Sequence, residues 1–279
     1  MMPIYPYPKA FRRGNIFRMR RALQKKEIRI AFLGGTNLYA NIDYDSFYEM
    51  VKKEWMEKDD SYTFTKDEKP SVEMNYEHAI PNRIYEKMTE TFARSFKEKI
   101  GVLLEQNPNF EILNLEYTGM SSLGGMFHLE RLLDWNPDIV FLDFSMEDPG
   151  EKFHEESSEG LIRTLLENDI AVSLILSCSK NGLGYAGHQK YLSLHYNLPV
   201  LDLDLALQDD IQTGEYRESD VFNEDRTFTR KGHEILSSYF TRFIDMIVHV
   251  LPDEAYKIPE NPCFLGSLKY FQQHKIAIS

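Results

Sequence analysis

The sequence predicts a three-layer α/β domain built on a mainly parallel sheet. Two observations carry this. Five short, nearly continuous apolar runs recur along the chain, and helical periodicities separate them. A strand with one wet face alternates apolar and polar residues, so unbroken apolar runs mark strands covered on both faces. Strands alternating with helices give right-handed crossovers and parallel pairing. A hydrophobic content of 42% and an aromatic content of 13% suffice for a substantial core and exclude a disordered chain.

The five runs are Ile28–Leu33, Phe110–Leu115, Asp138–Phe144, Ile170–Ser177 and Leu198–Leu203. A long helix is expected over Arg83–Gln106, where Met88, Phe92, Phe96, Ile100 and Leu103 recur at three or four residues. Further helices are expected at Met126–Trp135, Gly160–Glu167, Gln189–Tyr196 and Gly232–Leu251. The last carries Ile235, Leu236, Tyr239, Phe240, Phe243, Ile244, Ile247 and Leu251 on one broad face, the pattern of a helix packed on a core. The expected organisation is a basic segment over residues 1–27, a domain over 28–251 and a proline-containing tail over 252–279. Within the domain, residues 41–80 read as a charged insertion with one helical stretch, Tyr44–Met56. No internal repeat or low-complexity tract interrupts this plan.

The net charge of −12 is unevenly spread: the first 26 residues hold eight Lys or Arg and no acid. The body is therefore strongly acidic and repels nucleic-acid phosphates. The basic segment is expected to pack back on that acidic surface, the other reading being contact with RNA, a membrane surface or an acidic partner. Two cysteines, Cys178 and Cys263, give no disulfide framework. Cys178 lies in the apolar run LILSC and reads as a buried thiol. The apolar runs are strand-sized, short of the ~20 residues that cross a bilayer, and no stretch resembles a secretory leader. The expected location is cytoplasmic.

In a parallel sheet, chemistry gathers at the carboxyl ends of the strands. Gly34-Gly35-Thr36 follows the first run and makes a tight turn with one hydroxyl. Gly119 and Ser122 follow the second. Glu147 and Asp148 follow the third; acids there bind metals or act as acid and base, but more often are solvated or cap the next helix. No His or third carboxylate stands nearby at ligand spacing, so no metal is expected there, and no cofactor is implied. Asp225, Phe228 and His233 precede the last helix.

These turns, in this order, resemble the SGNH/GDSL hydrolase superfamily, most of all its Gly-Gly-Ser branch associated with acylated carbohydrates. The resemblance rests on FLGGTNL at Phe32–Leu38, on Asn114, Gly119, Ser122 and Gly125, and on PDIVFLDFSMED at Pro137–Asp148. It continues in HQKYLSLHYNLPV at His188–Val200 and in DRTFTRKGH at Asp225–His233, covering roughly residues 28–250. It implies a flavodoxin-like sandwich with a five-stranded parallel sheet. By position it implies Thr36 as nucleophile beside Gly35, Gly119 as oxyanion glycine, Asp225 as triad acid, Glu147 in place of an oxyanion asparagine and Phe228 in place of the base. His128 stands where that branch often carries Arg.

Three of these positions depart from the family pattern. The Thr36 methyl group restricts χ1 and crowds attack. Glu147 removes an amide donor, and loss of one oxyanion donor costs on the order of 10²–10³ in rate. Phe228 removes the group that takes the hydroxyl proton. The expected function is therefore a non-catalytic binding or accessory protein related to acylated glycans, with a small acylated molecule, a glycan or a protein as partner. The alternative is an active O-acyl esterase or acyltransferase using Thr36 with an unconventional base. His233, His188 and His128 are the candidates for that base: His233 is expected to pack at its helix start, His188 to be exposed and His128 to lie near the site mouth. A third reading keeps only the fold, with the insertion or the basic segment carrying an unrelated interaction.

Overall fold

A computed structural model describes residues 10–35, 96–104, 109–116, 120–148, 152–177, 187–222, 228–249 and 254–264. The insertion at 41–80 and its helical stretch lie outside these residues, as do Thr36, Gly119, Asp225 and Cys178.

The strands are β1 (Phe11–Arg12), β2 (Glu27–Gly34), β3 (Asn109–Glu116), β4 (Ile139–Asp143), β5 (Ala171–Leu176) and β6 (Val200–Asp202). The helices are α1 (Phe17–Leu23), α2 (Ser122–Phe127), α3 (Leu129–Trp135), α4 (Lys152–Glu167), α5 (Gly187–His195), α6 (Leu203–Gln212), α7 (Glu218–Val221) and α8 (Arg230–His249). Residues 96–103 are also helical.

The sheet has six strands in the order β1-β6-β5-β4-β2-β3. The five apolar runs supply five parallel strands, with Ile30 opposite both Ile112 and Ile139. Numbered among themselves, these five run second, first, third, fourth, fifth, which is the flavodoxin-like order. The sixth corrects the expected count of five: β1 pairs antiparallel with β6, Phe11 opposite Leu201. A two-residue edge strand containing Arg12 has no apolar run by which to be recognised.

Successive side chains of a strand point to opposite faces, and the core divides accordingly. Ile28, Ile30, Phe32, Ile139 and Phe141 pack against α1, residues 96–104, α6 and α8. Ala31, Leu33, Val140 and Leu142 pack against α2, α3, α4 and α5. On the first face Phe32 stacks on Phe141 at 5.1 Å between centroids, and Phe240 of α8 meets both edge-on at 5.7 and 5.2 Å. Phe96 joins Phe32 and Phe240 at 6.0 and 5.9 Å, so one aromatic cluster ties β2, β4, α8 and the 96–103 helix together.

Other departures have local causes. The helix expected at Met126–Trp135 is two helices, α2 and α3, meeting at His128. Helix α4 begins at Lys152 rather than Gly160, because its first half buries His154, Ser157, Ser158 and Glu159 and so carries no apolar period. Helix α6 follows β6 at once, its first turn capped by Asp202, which accepts from the Leu205 N–H at 3.1 Å.

Residues 10–26 join the domain through β1 and α1, with Ile16, Met19, Ala22 and Leu23 buried in the first core. Their charges meet acids of the body: Arg18 and Arg21 pair with Asp169 at 3.3 and 2.5 Å, and Lys25 pairs with Asp138.

The end of β2 is sterically closed. Gly34 has φ +146°, and a Cβ there would overlap the backbone carbonyl of Asp143. Gly34→Ala is therefore expected to destabilise the protein by more than about 2 kcal/mol. Gly187→Ala, at a site with nothing within 4 Å, should stay within roughly 0.5 kcal/mol of the parent. Urea denaturation of both variants measures the contrast.

Candidate active site

Ligands of open parallel sheets bind beyond the carboxyl ends of the strands where the strand order reverses. Here that point lies between β2 and β4. The backbone of β2 turns over the end of β4 there: the Gly35 N–H donates to the Asp143 carbonyl at 2.5 Å. The Asp143 carboxylate, itself buried, accepts from the Ser177 hydroxyl just past β5. The Ser177 N–H donates to the Ser145 hydroxyl at 2.7 Å. Three strand ends are thus tied by short polar contacts before any ligand enters.

Glu147 is half-buried and lies against this turn. A Cβ built on Gly35 would sit 3.2 Å from Glu147 Cγ. Two site residues read from the sequence, Gly35 and Glu147, are therefore neighbours.

Asp148 was expected to be solvated or to cap a helix. It is neither solvated nor the cap of the next helix: from full burial it caps the preceding helix, α2. Its Oδ1 accepts from the Ser122 N–H at 2.8 Å and its Oδ2 from the Ser158 hydroxyl at 3.0 Å. His188 Nε2 lies 3.5 Å from the same Oδ2, with 7% of the residue exposed, so the expectation that His188 is exposed is overturned. Its neighbours in sequence are polar, but α5 turns this residue inward onto Asp148. Ser122 also hydrogen-bonds with the Ser157 hydroxyl at 2.7 Å and donates to the His154 carbonyl at 3.1 Å. This buried polar cluster was missed at the level of sequence. Its one legible signal was the acid directly after a strand, because its other members are scattered serines and a histidine.

Phe228 belongs to the first core and is 5% exposed. It pairs with Phe222 through an antiparallel bridge, with ring centroids 5.0 Å apart. The His233 ring meets it at a tilt, with centroids 5.7 Å apart. His233 is buried at the start of α8, as expected, and burial pushes its imidazole down to about 4. His128 is half-buried at the junction of α2 and α3; burial, and then Arg131, lower its pKa.

Both oxygens of Asp148 accept hydrogen bonds from α2 and α4, so this carboxylate holds the two helices together. Among the described residues, the ligand-type side chains that meet in a group lie elsewhere, where α4, α5 and the tail come together. No helix among the described residues is long and apolar enough to cross a membrane.

The architecture matches solved hydrolase structures. A two-domain esterase active on acetylated mannans superposes with a TM-score of 0.64 at 21% identity over 91% of this chain. This chain spans 58% of that esterase's length. The lipase/acylhydrolase from Enterococcus faecalis superposes with a TM-score of 0.50 at 16% identity, covering 82% of this chain and all of that one. A protein assigned to the lipolytic G-D-S-L family, from Desulfitobacterium hafniense DCB-2, gives 0.50 at 12% identity, covering 77% of this chain and 98% of that one. No family model matches the chain, and no curated protein matches it in sequence. At these identities the likeness establishes a fold shared with those hydrolases.

Two outcomes follow from the buried groups. Asp148→Ala should cost about 3 kcal/mol, because it leaves the Ser122 N–H and the Ser158 hydroxyl without their acceptor. Asp148→Asn, which keeps one acceptor oxygen, should cost less; denaturant titration separates the two. For His233, the folded pKa lies below the ordinary value of ~6.5. The unfolded chain therefore takes up a proton first as pH falls. Stability is complete above ~6.5 and declines towards pH 4, by up to about 3 kcal/mol. His233→Leu should flatten that window in thermal melts recorded across it.

Proposed function

We propose that this protein is an SGNH hydrolase-like binding or accessory protein for acylated glycans, with a triad that no longer performs ester hydrolysis. The observation that carries the reading is the seat of Phe228. The position aligned with the catalytic base holds an apolar ring, packed against Phe222 and His233 in the core. No atom of that ring accepts a proton.

Glu147 adds to the case. It lies against Gly35, beside the place where the family's oxyanion develops, and a carboxylate there opposes rather than stabilises negative charge. Two of the three imidazoles considered as replacements are engaged in the structure of the domain: His233 is buried against Phe228, and His188 beside Asp148. An acylated glycan is the ligand class of choice because the mannan esterase, with the same fold, acts on acetylated mannans.

The alternative, an active O-acyl esterase or acyltransferase, rests on the hydroxyl that Thr36 retains. One assay separates the readings. Purified protein with p-nitrophenyl acetate should release nitrophenol at the background rate; turnover abolished by Thr36→Ala would establish the enzyme instead. The triple substitution Thr36→Ser, Glu147→Asn and Phe228→His should then create measurable esterase activity. Phe228→His alone is expected to cost about 1–3 kcal/mol, since it buries polar nitrogens in an apolar cluster, so the triple variant is assayed at a temperature where circular dichroism shows it folded.

A further inference from the structure

Helix α4 carries a buried carboxylate, Glu159, that the candidate active site does not use. It reaches the tail instead. Glu159 Oε1 accepts from the Cys263 N–H at 2.5 Å and from the Tyr196 hydroxyl, and Oε2 accepts from the Phe264 N–H at 2.7 Å. The Cys263 side chain and the ring of His195, at the end of α5, converge on the same point. One ligand-type atom from each of Glu159, His195 and Cys263 lies within 4.8 Å of the others.

We propose that Glu159, His195 and Cys263 form a binding site for a zinc-class divalent cation that clips the tail to α4 and α5. The inference is independent of the proposed function.

The donor set is one sulfur, one imidazole nitrogen and one carboxylate oxygen. Such a set suits zinc and its neighbours in the transition series rather than magnesium or calcium, which prefer oxygen throughout. A carboxylate and a thiolate together neutralise a divalent charge, and the thiol proton leaves when the metal binds.

The surroundings have the form of an outer ligand shell. His195 Nε2 faces the Asn261 carbonyl at 3.0 Å. A carbonyl only accepts, so Nε2 carries the proton and Nδ1 presents its lone pair. Metal-ligating histidines are commonly fixed in this way, and ligating carboxylates are themselves hydrogen-bonded. Glu159 Oε2 accepts one N–H and keeps a second lone pair. Arg163 donates to the Tyr196 hydroxyl at 3.1 Å and to the Pro259 carbonyl at 3.0 Å, which holds the tyrosine on Oε1 from behind.

Tetrahedral zinc with these bond lengths sets its ligand atoms about 3.3–3.8 Å apart. The three ligand-type atoms lie within 4.8 Å of one another, and the half-exposed Cys263 and His195 side chains can rotate to meet that spacing. Three protein ligands leave a fourth position for water.

The test uses the full chain after chelation and dialysis, titrated with cobalt(II) and then with zinc(II). One equivalent of cobalt should give a thiolate-to-cobalt charge-transfer band in the near ultraviolet, which zinc bleaches. Cys263→Ser should abolish the band, and Cys178→Ser should leave it unchanged. His195→Ala should weaken cobalt binding at least about tenfold. Zinc should raise the melting temperature of the parent and not that of Cys263→Ser. Absence of the band in the parent overturns the proposal and leaves Glu159 as an anchor for the tail alone. So does a band that survives Cys263→Ser or depends on Cys178.

Discussion

The contact between the end of β2 and Asp143 is the constraint on which the rest of the molecule depends. Asp143 closes β4, and its carbonyl takes the Gly35 N–H. Its carboxylate takes the Ser177 hydroxyl beyond β5. Gly34 has no side chain because the Asp143 carbonyl occupies the space one would need. The ends of the central strands β2, β4 and β5 are therefore tied together. A flavodoxin-like order requires such a point, since the chain leaves β2 towards one edge and β4 towards the other.

Beneath this point the domain is held by packing on both faces of the sheet. The Phe32–Phe141 stack with Phe240 and Phe96 joins the central strands to α8 on one side. On the other, Leu161, Ile162 and Leu165 of α4 close over Val140 and Leu142. Helix α4 also works through polar groups. Ser157 and Ser158 meet Ser122 and Asp148 near its start, and Glu159 and Arg163 gather Tyr196 and the tail. Ser157, Ser158, Glu159, Arg163 and Thr164 are all paired, which is the condition for burying such groups.

The same economy of polar groups shapes the reading of function. Around the strand ends, Asp143 and Asp148 both hold backbone or side-chain donors of the fold, and His188 is drawn into that cluster. Phe228 has become core. In this fold Asp143, Asp148 and His188 serve the structure of the strand ends. Residues 10–26 fit the same picture, since Arg18, Arg21 and Lys25 meet acids of the body.

The sequence by itself determined the five parallel strands and the long apolar helix α8, because continuous apolar runs and a three-to-four residue period are local properties of the chain. It also determined that Gly34-Gly35, Glu147 and Phe228 stand at strand or helix ends, since motif order follows element order. Only the tertiary structure decided the rest. The edge strand β1 forms because β6 offers unpaired backbone groups, not because Phe11-Arg12 has a strand pattern. Helix α4 begins early because its serines and Glu159 find partners on α2, α5 and the tail, which no helical period records. Asp148 and His188 are buried because they face each other across elements forty residues apart in the chain, roughly the length of one crossover unit. Hydrophobic periodicity announces a buried apolar face in advance, whereas the burial of a polar group depends on partners that only folding brings within reach.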